Sequence, residues 1–243
     1  MGNGIAVLPL GAYEQHGRHL PLETDSMIAK AIIETSKRYL TSQSVSFLPV
    51  EPIGYSIEHM RDKRSKTLSY SEAIERWIGI GKGCYANGTR KLVILNAHGG
   101  NSPLMSIVAT ELRARYKMLC VTTSWGRFGL PNGLISDDDK QLDIHAGFIE
   151  TSMMLAIAPE QVDMTKADNF DNRQRDFIRE FNYLRAYGPQ SFGWMMFDLN
   201  NRGAAGNAKR ANAAAGCKII DHAARQFAKL LEDVDHFDLN IFE

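Results

Sequence analysis

Four short apolar runs, at residues 4–8, 45–50, 91–96 and 118–123, are separated by longer segments of helical period. Strands that recur with helices between them pair in parallel, because each helical crossover returns the chain to the same end of the sheet. An α/β fold with a mostly parallel central sheet is therefore expected. The first helix, over about 26–40, shows Ile28, Ala31, Ile32 and Tyr39 at three-to-four spacing, with Thr24 and Asp25 available at its start. Ser69 and Glu72 make a capping-box pattern for a second helix, and Gly88 offers its stop. A third follows Asn101-Ser102 with Pro103 in a good first-turn position. Two more are expected over about 147–158 and 208–231. The stretches 125–143 and 163–196 are long and turn-rich, and both are candidate walls of a site.

No composition break or linker divides the 243 residues, so one domain over 1–243 is expected. Lys plus Arg and Asp plus Glu each number 28, and this zero net charge argues against a broad footprint for nucleic acid or an anionic membrane. Cys84, Cys120 and Cys217 stand far apart and form no C-x-x-C pair, which fits a reducing cytoplasm. The N-terminal stretch has no basic region followed by a long apolar run, and no apolar run approaches the ~20 residues of a bilayer span.

Chemistry concentrates at the strand exits. In a parallel sheet, ligands collect beyond the carboxyl ends of the strands. Directly after the first strand lie Glu14, His16, His19, Glu23 and Asp25. Carboxylates and imidazoles without sulfur suit Zn, Mn or Fe(II), and positions i and i+2 of an extended segment can address adjacent metals. The third strand delivers His98 at its exit, where Gly99 and Gly100 let the backbone pass close to whatever His98 holds. In a third segment His145 precedes a helix, and Glu150 lies in its first turns. A carboxylate on an otherwise apolar helix is costly to bury unpaired, and a metal is a sufficient partner.

These three segments together resemble the creatininase family of metal-dependent amidohydrolases. Glu14-Gln15-His16-Gly17 with His19-Leu20-Pro21-Leu22 and Thr24-Asp25 is similar to its first ligand motif. Asn96-Ala97-His98-Gly99-Gly100-Asn101 is similar to the second, and His145-Ala146-Gly147 with Glu150-Thr151-Ser152 to the third. The resemblance implies a three-layer α/β/α sandwich, a homohexamer, and two divalent ions per chain. It implies that Glu14 and His98 bind one ion, that His16 and Glu150 bind the other, and that Asp25 bridges them. Creatininase has a Glu two residues after the histidine of its second motif, where this chain has Gly100, so the remaining ligand role passes to Glu150.

The reaction so implied is cleavage of a non-peptide C–N bond in a small amide or formamide, cyclic or anionic substrates included, by hydroxide formed at the ions. His145 is the candidate proton donor to the departing nitrogen. Ser56, His59, Gly99 and Trp125 are candidate substrate contacts, and Arg61 and Arg64 form a cationic stretch suited to clamping an anionic substituent. The family also contains a peptide-trimming protease and hydrolases of a ring C–C bond in cyclic ketones. A non-catalytic metal scaffold is the rival from another class.

Overall fold

A computed structural model describes residues 4–41 and 44–242; the first three residues of the N-terminal stretch considered above lie outside them. Its elements in chain order are β1 (Ile5–Leu10), α1 (Thr24–Ser36), β2 (Val45–Phe47), α2 (Tyr70–Ala86), β3 (Lys91–Asn96), α3 (Ser102–Tyr116) and β4 (Leu119–Ser124). They continue with α4 (Asp137–Leu142), α5 (Phe148–Ile157), β5 (Asn169–Phe170), α6 (Gln174–Glu180), α7 (Met196–Leu199), β6 (Gly206–Asn207) and α8 (Ala213–His236). The main sheet has the order β2-β1-β3-β4, and every pairing in it is parallel.

The layers follow from alternation along the strands. Ile5, Val7, Val93 and Leu95 face one core, which α1, α5 and α8 complete with Ile28, Ile32, Met153, Ile219 and Phe227. Ala6, Leu8, Leu92 and Ile94 face the other, where α2 and α3 contribute Trp77, Met105 and Leu112. The inner strands β1 and β3 are buried on both faces, which is why they read as apolar runs rather than alternating ones.

One helix start matches expectation and others differ. The Ser69–Glu72 capping box is formed, with the Ser69 amide donating to Glu72 Oε2 at 2.8 Å and Ser69 Oγ accepting from the Glu72 amide at 3.2 Å. Asp25 does not cap α1, which has no side-chain cap; its oxygens turn toward two histidines instead. The last helix starts at Ala213 rather than near 208, because the Asn212 side chain accepts from the Ala215 amide and opens it there. The turn-rich stretches hold short helices, α4 in the first and α6 in the second. No helix among the described residues is long and apolar enough to cross a membrane.

Candidate metal centre

Strand register brings the first two motifs together. Leu10 of β1 pairs with Asn96 of β3, so both strands end at the same level, and the Ala97 amide donates to the Leu10 carbonyl at 2.9 Å. Asn101 ties the exits to a third segment: its Nδ2 donates to the Gly11 carbonyl at 3.0 Å, and its Oδ1 accepts from the Tyr55 amide at 2.9 Å. No strand carries the third motif. His145 instead bridges to Ala205, whose amide donates to the His145 carbonyl at 2.8 Å. Ala146 takes a positive φ of 52°, rare for a residue with a side chain. This bend lets Glu150 reach back and accept from the Ala146 amide at 2.6 Å.

The result is one buried cluster of donors. His16 Nε2 lies 3.3 Å from Asp25 Oδ1, 3.9 Å from Glu150 Oε2 and 3.9 Å from Glu14 Oε1. His98 Nδ1 lies 3.1 Å from Glu14 Oε1 and 3.5 Å from Asp25 Oδ2. Asp25 therefore shows one oxygen to each histidine. Donors held about 2.1 Å from a common ion are about 3.4 Å apart at a tetrahedral edge, and these spacings fit. Both oxygens of Glu14, and Oδ2 of Asp25, are buried without a hydrogen-bond partner. Orphaned carboxylate oxygens facing imidazole nitrogens are costly to bury unless a cation accepts their lone pairs. The donor set, nitrogen and oxygen without sulfur, suits Zn, Mn or Fe.

The electrostatics agree. Burial alone pushes His16 down, but Asp25, Glu150 and Glu14 outweigh it and hold the ring up at about 9. His98 is held at about 10 against burial by Glu14, Asp25 and Glu58. Burial raises Glu14, yet His59, His98 and His145 carry it well below the usual carboxylate range. Burial pushes Glu150 up to about 7. Without cations, the cluster stores protons on the rings that cations would displace.

Other residues singled out in the sequence fall in different places. His59 is buried beside the cluster, its Nε2 3.4 Å from Glu14 Oε1. Ser56 Oγ is 3.3 Å from His98 Nε2. Gly99 is exposed, with open space where a side chain would project. Arg61 lies over the Phe197 ring at 4.6 Å, and Arg64 chelates Asp62 through Nε at 3.0 Å and Nη2 at 2.7 Å. Trp125 is half-buried and packs against the core that α8 completes.

Two residues escaped the sequence reading. Glu58 Oε1 sits 3.4 Å from His98 Nε2 and occupies the space a Cβ at Gly100 would need. A carboxylate thus reaches that corner from a different segment, and its only trace in the sequence is its place beside His59. The other is Gln15, lodged between two histidines of the site.

Comparison with known proteins points the same way. The creatininase family profile, described as creatinine amidohydrolase, matches residues 1–231. A mycofactocin precursor peptide peptidase of Mycobacterium ulcerans (strain Agy99) is 33% identical over 164 residues, which are 64% of this chain and 59% of the peptidase. The match thus spans about three fifths of that relative. A 2-amino-5-formylamino-6-ribosylaminopyrimidin-4(3H)-one 5'-monophosphate deformylase of Methanothermus fervidus is 33% identical over 109 residues, covering 42% of this chain and 40% of the deformylase. In fold, a Bacteroides fragilis NCTC 9343 protein assigned to creatinine amidohydrolase superposes at TM-score 0.78 with 23% identity, over 97% of this chain and 91% of its own. A manganese creatininase superposes at 0.72 with 21% identity, over 97% and 93%. The profile match over nearly the whole length, on the motifs that build the cluster, places this chain in the creatininase family of metal-dependent hydrolases.

Proposed function

We propose that the chain is a dinuclear metal-dependent amidohydrolase that cleaves a non-peptide C–N bond in a small amide or formamide. The observation that carries this is Asp25, turned away from its helix so that its two oxygens face His16 and His98 separately. On this reading Glu14 and His98 would hold one ion, His16 and Glu150 would hold the other, and Asp25 would serve both. Bound there, the ions supply Lewis acidity toward a carbonyl and toward water.

The protein's own groups handle the protons. His145 donates Nε2–H to the Gln15 carbonyl at 2.7 Å, which fixes the ring and leaves Nδ1 bare toward the cluster, 3.8 Å from Glu14 Oε1. Burial holds this ring well below its usual range, so it waits neutral. It can take a proton from water as oxygen bonds to the acyl carbon. It then gives that proton to nitrogen as the C–N bond breaks and nitrogen keeps the pair. His145 therefore serves as donor to the leaving group only after serving as acceptor.

Arg64 is already paired with Asp62, which leaves Arg61 as the base open to an anionic substituent. Exposed Phe181, Tyr183, Leu184, Tyr187 and Met195 fall in one segment and support burial between subunits of a homohexamer. Residues 1–243 are read as one catalytic domain, and the free cysteines support a cytoplasmic setting. A second reading, peptide trimming, is favoured by the identity to the mycobacterial peptidase. Metal analysis joined to a screen of cyclic amides, formamides and short peptides tests both. Two equivalents of metal per chain and turnover of a small amide are expected. Less than one equivalent, with no activity restored by added Zn or Mn, overturns the dinuclear reading, and turnover confined to peptides selects the second.

A further inference from the structure

Glu14, His59 and His145 also place ligand atoms within 4.8 Å of one another, so on spacing alone they pass for a further ion site. Hydrogen bonding separates His59 from the other rings. A backbone carbonyl only accepts, so a ring nitrogen against one carries the proton and the opposite nitrogen of the neutral ring is bare. His16 meets the Glu14 carbonyl through Nδ1 at 3.0 Å, His98 the Tyr55 carbonyl through Nε2 at 2.9 Å, and His145 the Gln15 carbonyl through Nε2 at 2.7 Å. In its neutral form each then turns a bare nitrogen toward the carboxylates, as a metal ligand does when its other N–H is held from behind.

His59 has the opposite arrangement. Its Nδ1 lies 2.9 Å from Gln15 Nε2. The amide cannot be read the other way round, because Gln15 Oε1 accepts from the Gly17 amide at 3.0 Å. Gly203, at φ 75°, packs closely on the same oxygen, so that a Cβ there would collide with Oε1, and the Gln15 main-chain N–H is tied to Ser65 Oγ at 2.9 Å. An amide NH2 only donates, so His59 Nδ1 must accept, and the proton of the neutral ring sits on Nε2. That N–H points into the cluster, 3.4 Å from Glu14 Oε1.

We propose that Gln15 is a positioning residue that sorts the histidines of the site by tautomer, leaving His59 as a fixed hydrogen-bond donor to substrate oxygen and excluding it from metal binding. The same residue sets both partners of a tilted ring pair, since the His59 and His145 ring centroids are 4.2 Å apart. Its carbonyl makes His145 an acceptor toward the site, and its amide makes His59 a donor. An N–H held in place before the reaction stabilises negative charge growing on a carbonyl oxygen without reorganising. His59 keeps its proton throughout. The role toward substrate rests on the hydrolytic reading above; the tautomer does not.

The test is 15N NMR of zinc-loaded protein labelled at histidine, with His59→Asn to assign the signal. In the wild type, His59 is expected to show a bare Nδ1 and a protonated Nε2, neither shifting when zinc is added. The bare nitrogens of His16 and His98 are expected to shift. A His59 Nε2 that is bare, or that moves on zinc loading, overturns the proposal, and this measurement needs no variant of Gln15 to fold. Gln15→Glu keeps the shape but replaces the donor with an acceptor. It should reverse the His59 tautomer and lower kcat by roughly 10²-fold with zinc content retained. A reversed tautomer with kcat within about twofold of wild type removes the role toward substrate. If no amide is turned over at all, the hydrolytic reading fails while the nitrogen shifts still decide the tautomer.

Discussion

The two halves of the site are built by different means. Glu14, His16, Asp25 and His98 come from the exits of β1 and β3 and the first turn of α1, and the register of a buried parallel sheet sets their spacing. His59 and His145 come from a loop and from the turn before α5, held by Gln15 and by the bridge to Ala205, while Glu150 reaches back over the bend at Ala146 to join the first half. The first half can hold ions because the core behind it is rigid. The second half can set protons because each ring is fixed by one polar contact from Gln15, the side-chain amide for His59 and the main-chain carbonyl for His145. Metal content should therefore answer to the first half, and turnover at constant metal content to the second.

The most severe break is expected at Asp25. Asp25→Ala removes the oxygens shared by both histidines, so metal analysis should show the loss of at least one ion, and activity should fall by at least roughly 10³-fold. Full metal content in this variant would mean the halves are not divided as described. His145→Ala should lower kcat by about 10²–10⁴-fold while bound metal stays the same. Loss of metal along with activity would move His145 into the first half.

A third expectation concerns His19, which joins the halves by sitting on the first motif while bonding Thr151 Oγ1 at 3.0 Å. Burial pushes this ring down to about 4 from 6.5. The unfolded chain thus binds more protons between those values, so the contribution is fully present above about pH 6.5 and is lost as pH falls toward 4, up to about 3 kcal/mol. Denaturant titrations across pH 4–7 should show a shallower acid-side loss in His19→Gln than in the wild type; identical slopes would reject the assignment. Asn101→Ala cuts the tie between both strand exits and the Tyr55 segment and should cost about 1–3 kcal/mol in the same titrations. Arg64→Ala should change stability by less than about 0.5 kcal/mol, because its partner Asp62 is a surface neighbour. A several-fold weaker KM for an anionic amide in that variant would instead show that the Asp62 pair opens for substrate.

Much of the strand-exit half was readable along the chain. Apolar runs mark the strands, and polar residues clustered just after two of them mark the ligand positions of a parallel sheet. The helix start at Asn212 was harder, since Ala208 already begins an alanine-rich stretch and only the folded side chain shows which turn is capped. Asp25 reads equally well as a cap or a ligand until its oxygens are seen to face away from the helix amides. Arg61 and Arg64 look like a free basic patch because their partners, Phe197 and Asp62, say nothing of themselves in a charge count.

Local patterns determined the layers, the order of the motifs and the residue types offered to a cation, because periodicity and turn chemistry act over a few neighbouring positions. Which nitrogen of each histidine carries its proton was decided only when the chain folded. Those protons depend on contacts between residues 44 and 130 positions apart, such as Gln15 with His59 and with His145. No short-range preference specifies a hydrogen bond across that distance; the packed core that brings the segments together does.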